Sequence, residues 1–204
     1  MLKIGITGNI GSGKTTVSKL FEVLGVPVFY ADTAAKNSMS TDPVLIAAIK
    51  KTFGDKAYFD DGSLDRKYIA NIVFNDDKEL AKLNALTHPA VFRAFDAWVA
   101  GIKNAPYVMK EAALLFESTS YKMCDYSLLV TSPLELRIER VMKRDHITRP
   151  QVEAREAKQF PEAKKRELAD HILENDEKQL LIPQVLELHK QFLQLATAPP
   201  NPPR

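Results

Sequence analysis

The chain has 204 residues, of which 45% are hydrophobic and 26% are charged. This composition is typical of one folded domain and excludes a disordered or fibrous protein. The apolar runs, AALLF at 112–116 among them, are too short to span a bilayer, and the first residues do not match a secretory signal. The single cysteine, Cys124, excludes an internal disulfide framework and fits a reducing compartment. We therefore expect a soluble cytoplasmic protein that does not bind membranes, with Cys124 buried.

The net charge of +2 is unevenly distributed along the chain. Residues 137–166 contain ten Lys and Arg against five acids, a net charge of +5, so that the remainder carries −3. A local basic patch of this kind favours a small anionic ligand over nucleic acid, which usually meets a broader basic face. The alternative is a solvated helix face without a ligand.

The first thirty residues predict a strand, a helix and a second strand. KIGIT (3–7) is a short β-branched apolar run, and residues 14–25 carry apolar side chains at helical spacing before a glycine. VPVFYA (26–31) is the next strand and is followed by Asp32. Such a βαβ unit predicts an α/β fold with a parallel sheet and a right-handed crossover.

Residues 33–104 are predicted to be mainly helical. One helix spans 42–54, a turn at Asp61-Gly62 precedes a helix that begins near Ser63, and 77–103 form one or two helices with a boundary at Pro89. This block is too long for a plain crossover between strands. We expect an inserted subdomain that binds an acceptor.

The second half of the chain returns to alternating strands and helices. Strands are predicted at 106–111, 125–131 and 169–173, and helices at 132–145 and 176–195, where Pro183 either kinks or delays the last one. The sequence thus predicts one domain, 1–196, with a core of about 1–32, 105–135 and 167–196 and a basic lid of about 136–166. The Pro-rich segment 197–204 is predicted to be disordered.

The stretch GNIGSGKT (8–15) matches the P-loop pattern G-x-x-x-x-G-K-[ST], and it lies in the required context between a strand and a helix. Glycines let the backbone N–H groups wrap phosphate oxygens, and the following helix adds the positive end of its dipole. Lys14 is predicted to reach the β- and γ-phosphates of ATP, and Thr15 to bind Mg²⁺ through its hydroxyl. The predicted nucleotide-binding residues of this loop are Gly8, Asn9, Ile10, Gly11, Ser12, Gly13, Lys14, Thr15 and Thr16.

The basic segment supplies candidate phosphate ligands outside the P-loop. The chain lacks the N-K-x-D and D-x-x-G motifs of GTPases and the LSGGQ motif of transporters, which favours a small-molecule kinase that closes a lid over its substrates. Arg137, Arg140 and Arg144 follow helical spacing, and Arg140 and Arg144 are the predicted phosphate contacts. The remaining basic residues are predicted to be solvated surface: Arg155, Lys158, Lys164, Lys165 and Arg166.

Two carboxylates follow predicted strands, at the edge of the sheet where ligands collect in such folds. Asp32 is the candidate that orients the acceptor hydroxyl and takes its proton, although it could instead only cap a helix. Glu111 either binds Mg²⁺ through water or holds its loop. Glu117 is a weaker catalytic candidate.

Beyond the P-loop, several stretches resemble the dephospho-CoA kinase family over residues 2–190. They are ADTAAK (31–36), FG (53–54), DGSLDR (61–66), VF (73–74), HP (88–89), LLFE (114–117), the arginines of 137–149, Gln159 and ADHILEND (169–176). The resemblance implies a P-loop kinase that uses ATP to phosphorylate the ribose 3′-hydroxyl of dephospho-CoA. Two alternatives remain open, a kinase for a nucleoside, nucleotide or sugar acid, and an ATP-binding regulatory protein.

The resemblance also implies roles for individual residues. Asp32, Lys14 and Arg140 would be catalytic, Arg144 would contact the nucleotide, and Asn175 would lie near adenine. The implied acceptor-binding residues are Asp32, Lys36, Arg66, His88, Glu111 and Leu114. Without the resemblance, His88 could only fix a turn, Arg66 could be surface, and Asn175 could be a helix cap.

This chain departs from the family pattern at three places. Lys36 stands where the family usually has arginine, which keeps the charge and loses the bidentate fork. Glu111 and Ala113 stand for aspartate and proline, and Asn9 for a common glycine. The sequence leaves the oligomeric state open.

Overall fold

The computed structural model describes residues 1–73 and 76–197 as an α/β protein. Its strands are β1 (Leu2–Thr7), β2 (Val28–Tyr30), β3 (Tyr107–Glu111), β4 (Tyr126–Thr131) and β5 (His171–Glu174). Its α-helices are α1 (Lys14–Val23), α2 (Ala31–Thr41), α3 (Pro43–Phe53), α4 (Arg66–Val73), α5 (Asp77–Gly101), α6 (Leu134–Asp145), α7 (Arg149–Glu156), α8 (Glu162–Leu168) and α9 (Leu181–Thr197). Short 3₁₀ turns lie at Asp55–Ala57 and Ser120–Met123.

The described chain packs as two compact units. One, which we call the sheet unit, consists of Met1–Tyr30 and the described residues from Lys103 onward. The other, the helical unit, is Ala31–Ile102. Of the sequence predictions, Phe74 of the VF match and residues 198–204 of the Pro-rich segment lie outside the described residues.

The sheet unit contains a five-stranded sheet in the order β2-β3-β1-β4-β5, in which every neighbouring pair is parallel. This confirms the α/β class and the predicted βαβ unit. The strands are apolar because both faces are covered. Ile4 and Ile6 of β1 are fully buried, and α1 and α9 pack into the same core through Phe21 and Phe192.

The register of the strands brings their carboxyl ends together. Ile6 of β1 and Tyr30 of β2 both pair with Glu111, the last residue of β3. The P-loop therefore leaves the sheet beside Glu111. In an open parallel sheet this edge is where ligands bind.

The helical unit has a separate core formed by Leu45 and Ile49 of α3, Ile69 of α4 and Leu83 of α5. Within the described residues, none of the helices of the chain is long and apolar enough to cross a membrane.

The predicted helix start near Ser63 is wrong, because α4 begins at Arg66. Asp65 caps this helix by accepting hydrogen bonds from the N–H groups of Lys67 and Tyr68. Ser63 instead donates its N–H and hydroxyl to Asp61, which closes the turn before the helix. A side chain that satisfies a local turn competes with helix formation.

The predicted helix boundary at Pro89 is also wrong, since α5 runs unbroken from Asp77 to Gly101. Proline removes one backbone hydrogen bond and strains the preceding turn. Its neighbours Thr87, Ala90 and Val91 are buried, so packing on both sides of the proline outweighs that cost.

The last helix begins at Leu181 and not at 176, which confirms that Pro183 delays it. Asp176 accepts hydrogen bonds from the N–H groups of Lys178 and Gln179 and forms a turn there. The proline then occupies the first turn of α9, where a missing N–H group is tolerated.

Candidate active site

The P-loop connects β1 to α1 and is shaped by glycines that tolerate no side chain. Gly13, at the start of α1, has a φ of 91°, and a Cβ there would collide with Nδ2 of Asn175. A Cβ on Gly8 would collide with the hydroxyl of Ser12 and the carbonyl of Val130. Only glycine therefore fits at these two positions.

The amino end of α1 is left open for an anion. Among the described residues, no side chain caps this helix, and its first turn carries no acid. It opens onto a cavity of about 350 Å³ within the sheet unit. The lining residues are Gly11, Ser12, Gly13, Lys14, Thr15, Thr16, Arg140, Val141 and Arg144. Free N–H groups, the helix dipole and three cations all favour bound phosphate.

Glu111 lies against the two chemically active side chains of the P-loop. It is buried, and its Oε1 accepts a hydrogen bond from the Thr15 hydroxyl at 3.2 Å and lies 3.9 Å from the Lys14 ammonium. The hydroxyl and the carboxylate are hard oxygen ligands of the type that Mg²⁺ takes beside phosphates. Tyr30, on the neighbouring strand, has its pKa raised by burial, by a hydrogen bond to Glu22, and by the nearby negative charges, including that of Glu111.

Arg140 and Arg144 reach the phosphate cavity from α6. Arg140 is tied to the P-loop region, because its guanidinium lies 3.5 Å from the Gly11 carbonyl oxygen, 3.1 Å from the Ser132 hydroxyl and 2.9 Å from Glu177. Arg144 is more exposed and makes a two-point pair with Asp145 at 2.7 and 3.0 Å. That hydrogen bond lowers the pKa of the Asp145 carboxyl.

Arg137, the third arginine of the predicted face, has a structural role. Its side chain is only 5% exposed, and it donates to the carbonyls of Ser132 at 3.0 Å and Ile10 at 3.3 Å and to the Glu156 carboxylate at 2.7 Å. These bonds support the P-loop from outside the cavity. Asn9 joins the same cluster, because its Nδ2 donates to Glu156 at 2.8 Å.

The prediction that Lys165 is a solvated surface residue is wrong. Its side chain is fully buried and lies 3.0 Å from the Glu117 carboxylate. The segment is polar throughout, so the helical spacing of its residues does not indicate that this lysine is buried. Leu114, a predicted acceptor contact, lies in the loop between β3 and β4 and is 36% exposed.

Asn175, expected near adenine, is a buried residue that follows β5 directly. Its Nδ2 donates to the Ser12 carbonyl at 2.8 Å, and its N–H donates to the Thr131 carbonyl at 2.8 Å. The alternative of a helix cap is wrong, since α9 begins six residues later. In this structure the amide braces the P-loop.

The helical unit carries the other predicted acceptor residues. Asp32 and Lys36 are exposed on α2, which begins one residue before Asp32, so that Asp32 lies inside the first turn and not at the cap. Arg66 is the exposed first residue of α4. His88 is half-buried within α5 and stacks on Phe92 at 6.4 Å between ring centroids, which excludes a role in a turn.

Comparison with known proteins assigns the chain to a family. The dephospho-CoA kinase (CoaE) family model matches residues 2–180. The dephospho-CoA kinase of Salinibacter ruber is 42% identical over 178 residues, which cover 86% of this chain and 89% of that protein. The enzyme of Burkholderia lata is 40% identical, covering 97% of this chain and 99% of its own. A crystal structure of a Thermus thermophilus protein, 36% identical, superposes with a TM-score of 0.81 and covers 97% of this chain and 98% of its own. This chain belongs to the dephospho-CoA kinase family.

Proposed function

We propose that this chain transfers the terminal phosphoryl group of ATP to the ribose 3′-hydroxyl of dephospho-CoA, which forms coenzyme A and ADP in the final step of coenzyme A synthesis. The observation that carries the proposal is the family match across residues 2–180. The open end of α1 and its cationic cavity supply the phosphate site that such a kinase needs.

On the donor side, we assign Lys14, Arg140 and Arg144 to the phosphates. All three line one cavity, and phosphoryl transfer depends mainly on positioning and on neutralising the charge that moves. Arg140 is the better placed arginine for catalysis, because its contacts with Ser132 and Glu177 hold its guanidinium at the edge of the P-loop. The surrounding loop, residues 8–16, would hold the phosphate chain through N–H groups other than that of Ile10, which donates to Gln159.

The residues near Glu111 fit Mg²⁺ bound together with ATP. Across the described residues there is no group of three or more His, Cys, Asp or Glu that could hold a metal by itself. Mg²⁺ commonly keeps several waters and takes few protein ligands beside phosphates. We assign Thr15 as a direct ligand and Glu111 as a contact through water. Bound there, Mg²⁺ would neutralise charge on the β- and γ-phosphates.

On the acceptor side, we assign Asp32 as the carboxylate that orients the 3′-hydroxyl and accepts its proton. Lys36, Arg66, His88 and Leu114 are proposed to bind dephospho-CoA, whose phosphates are anionic. At position 36, a lysine supplies a point charge in place of the planar fork of arginine. We place acceptor binding in 33–104 and lid closure in 136–166, at residues other than Arg137, Gln159 and Lys165, which are held by their contacts with neighbouring loops. We also propose that the enzyme works in the cytoplasm, with small molecules as its ligands and no role for nucleic acid or membrane.

The decisive experiment measures ADP release from ATP with a panel of acceptors: dephospho-CoA, nucleosides, nucleotides and gluconate. We expect turnover with dephospho-CoA and a product heavier by one phosphoryl group. Turnover with another acceptor alone would overturn the substrate assignment, and ATP binding without turnover on any acceptor would indicate a regulatory protein.

The role of Asp32 is tested by Asp32→Asn, with Asp60→Asn as a matched control, because Asp60 is an exposed acid of the same unit. We expect D32N to retain ATP affinity and to lose about 10²–10⁴-fold in kcat. D60N should match the wild type. Near-normal turnover by D32N would refute the assignment.

A further inference from the structure

The segment between α7 and α8 bridges two loops of the sheet unit through a single glutamine. Oε1 of Gln159 accepts a hydrogen bond from the Ile10 N–H of the P-loop at 2.7 Å. Nε2 of the same side chain donates to the Ala113 carbonyl at 3.2 Å. Ala113 belongs to residues 112–119, which we call the acceptor loop. One amide thus links the P-loop to the acceptor loop, and each bond uses a different end of that amide.

Lys165 of α8 contacts the acceptor loop at two residues. Its buried ammonium lies 3.0 Å from the Glu117 carboxylate and 3.5 Å from the Ala113 carbonyl oxygen. Glu117 also accepts the N–H of Phe160 at 2.8 Å, and the Thr7 hydroxyl lies 3.4 Å from the Ala113 oxygen. Three donors therefore converge on one carbonyl, and two on one carboxylate.

A fully buried ammonium is costly to desolvate, and burial lowers the pKa of Lys165 although the Glu117 charge opposes this change. Buried ion pairs contribute little net stability compared with apolar side chains of similar size, whereas they fix geometry because each partner must be satisfied. Lys165 is thus better suited to setting the position of a loop than to holding the fold together.

The acceptor loop follows directly from Glu111, whose carboxylate accepts the Thr15 hydroxyl, and it carries Leu114. We propose that Lys165 and Gln159 are positioning residues, which anchor the acceptor loop to the P-loop and so set the place of Glu111 and Leu114 for phosphoryl transfer. This inference rests on the proposed function for its kinetic consequence and on the contacts alone for the anchoring. The proposal also gives a structural role to Gln159 and Lys165, which belong to the basic segment 137–166.

The first experiment compares Lys165→Met with Lys164→Met, an exposed neighbour on the same helix. In the ligand-free proteins, we expect amide hydrogen exchange of residues 112–119 to accelerate in K165M and to stay at the wild-type rate in K164M. Because a displacement of about 1 Å can slow a reaction by about 10²-fold, K165M should lose up to that factor in kcat/KM for dephospho-CoA. Its KM for ATP should change by a smaller factor than its kcat/KM for dephospho-CoA, because Lys165 contacts the acceptor loop directly and reaches the P-loop only through Glu111 and Gln159.

The double variant K165M/E117Q separates positioning from stability. It removes the carboxylate that K165M leaves unpaired, and the amide at 117 can still accept the Phe160 N–H. We expect the urea midpoint to recover toward that of the wild type while kcat/KM for dephospho-CoA stays low and exchange at 112–119 stays fast.

Gln159→Met tests the bridge between the two loops. It loses the hydrogen bonds to Ile10 and Ala113 without adding a charge, so it should lower kcat/KM for dephospho-CoA and also raise the KM for ATP.

The anchoring is overturned if exchange at 112–119 in K165M equals that in K164M, or if the double variant recovers kinetics together with stability. Should the wild type show no turnover with dephospho-CoA, the proposed function fails, and the exchange comparison still decides whether Lys165 anchors the loop.

Discussion

Arg137 offers a quantitative test of how the P-loop is supported. Replacing it with methionine removes its bonds to Ser132, Ile10 and Glu156 and leaves the Glu156 carboxylate, only 22% exposed, without its guanidinium. Breaking a buried ion pair from one side costs about 3–5 kcal/mol. Asn9 still donates to Glu156 at 2.8 Å, so we expect the lower end, about 3 kcal/mol. For a chain of this size, that loss lowers Tm by about 6–12 °C.

The matched control is Arg149→Met, which removes an arginine that is 47% exposed and pairs with the exposed Glu135 and Glu153. Solvent screens exposed pairs of this kind, so this variant should have nearly the same free energy of unfolding as the wild type. Urea and thermal unfolding should be followed by far-UV circular dichroism, because the only tryptophan, Trp98, lies in the helical unit. If R137M loses no more stability than R149M, burial does not decide the strength of these pairs and the reasoning is refuted.

Three other predictions follow from local features. Gly13→Ala should abolish ATP binding, measured by calorimetry, because φ is 91° and the new Cβ would collide with Asn175; wild-type affinity would contradict the described loop geometry. Burial lowers the pKa of His189, which contacts the Tyr107 hydroxyl at 2.6 Å, so below pH about 6.5 the unfolded chain binds more protons and stability should fall as the solution is acidified. In His189→Gln, the urea midpoint should change less between pH 7 and pH 5 than in the wild type. If it changes equally, groups other than His189 cause the loss of stability in acid. Cys124 is 5% exposed, so a thiol reagent should modify it slowly in the native protein and rapidly in urea, whereas equal rates would show that it is accessible.

The features that could be predicted from the sequence, the P-loop and the ends of the strands, depend on residues that are neighbours along the chain. The P-loop pattern includes its own glycines, its lysine and its following helix, and the structure adds the neighbours that hold the loop, such as Glu111 beside Thr15 and Asn175 beside Ser12. The strand ends were predictable for the same reason, since a buried β-branched run that stops at a polar residue or glycine needs no distant partner to be recognised.

The errors lie where distant residues decide the outcome. Pro89 would end an isolated helix, yet buried neighbours hold α5 together. Arg137 and Lys165 are basic residues in a polar segment, and their burial depends on partners 127 and 52 residues away, at Ile10 and Ala113. Helical periodicity contains no information on such pairs. The predicted acceptor residues, Asp32 among them, remain predictions that kinetics must test.

The brace between Asn175 and Ser12 also has a consequence for synthesis of the protein. The two residues are 163 positions apart, and Gln159 and Arg137, which contact the P-loop at Ile10, also come from the second half of the given sequence. The nucleotide loop therefore leaves the ribosome well before the groups that brace it. A nascent chain is expected to gain stabilisation from bound ATP only after Asn175 has been made, and such long-range closure is expected to be a late step in folding.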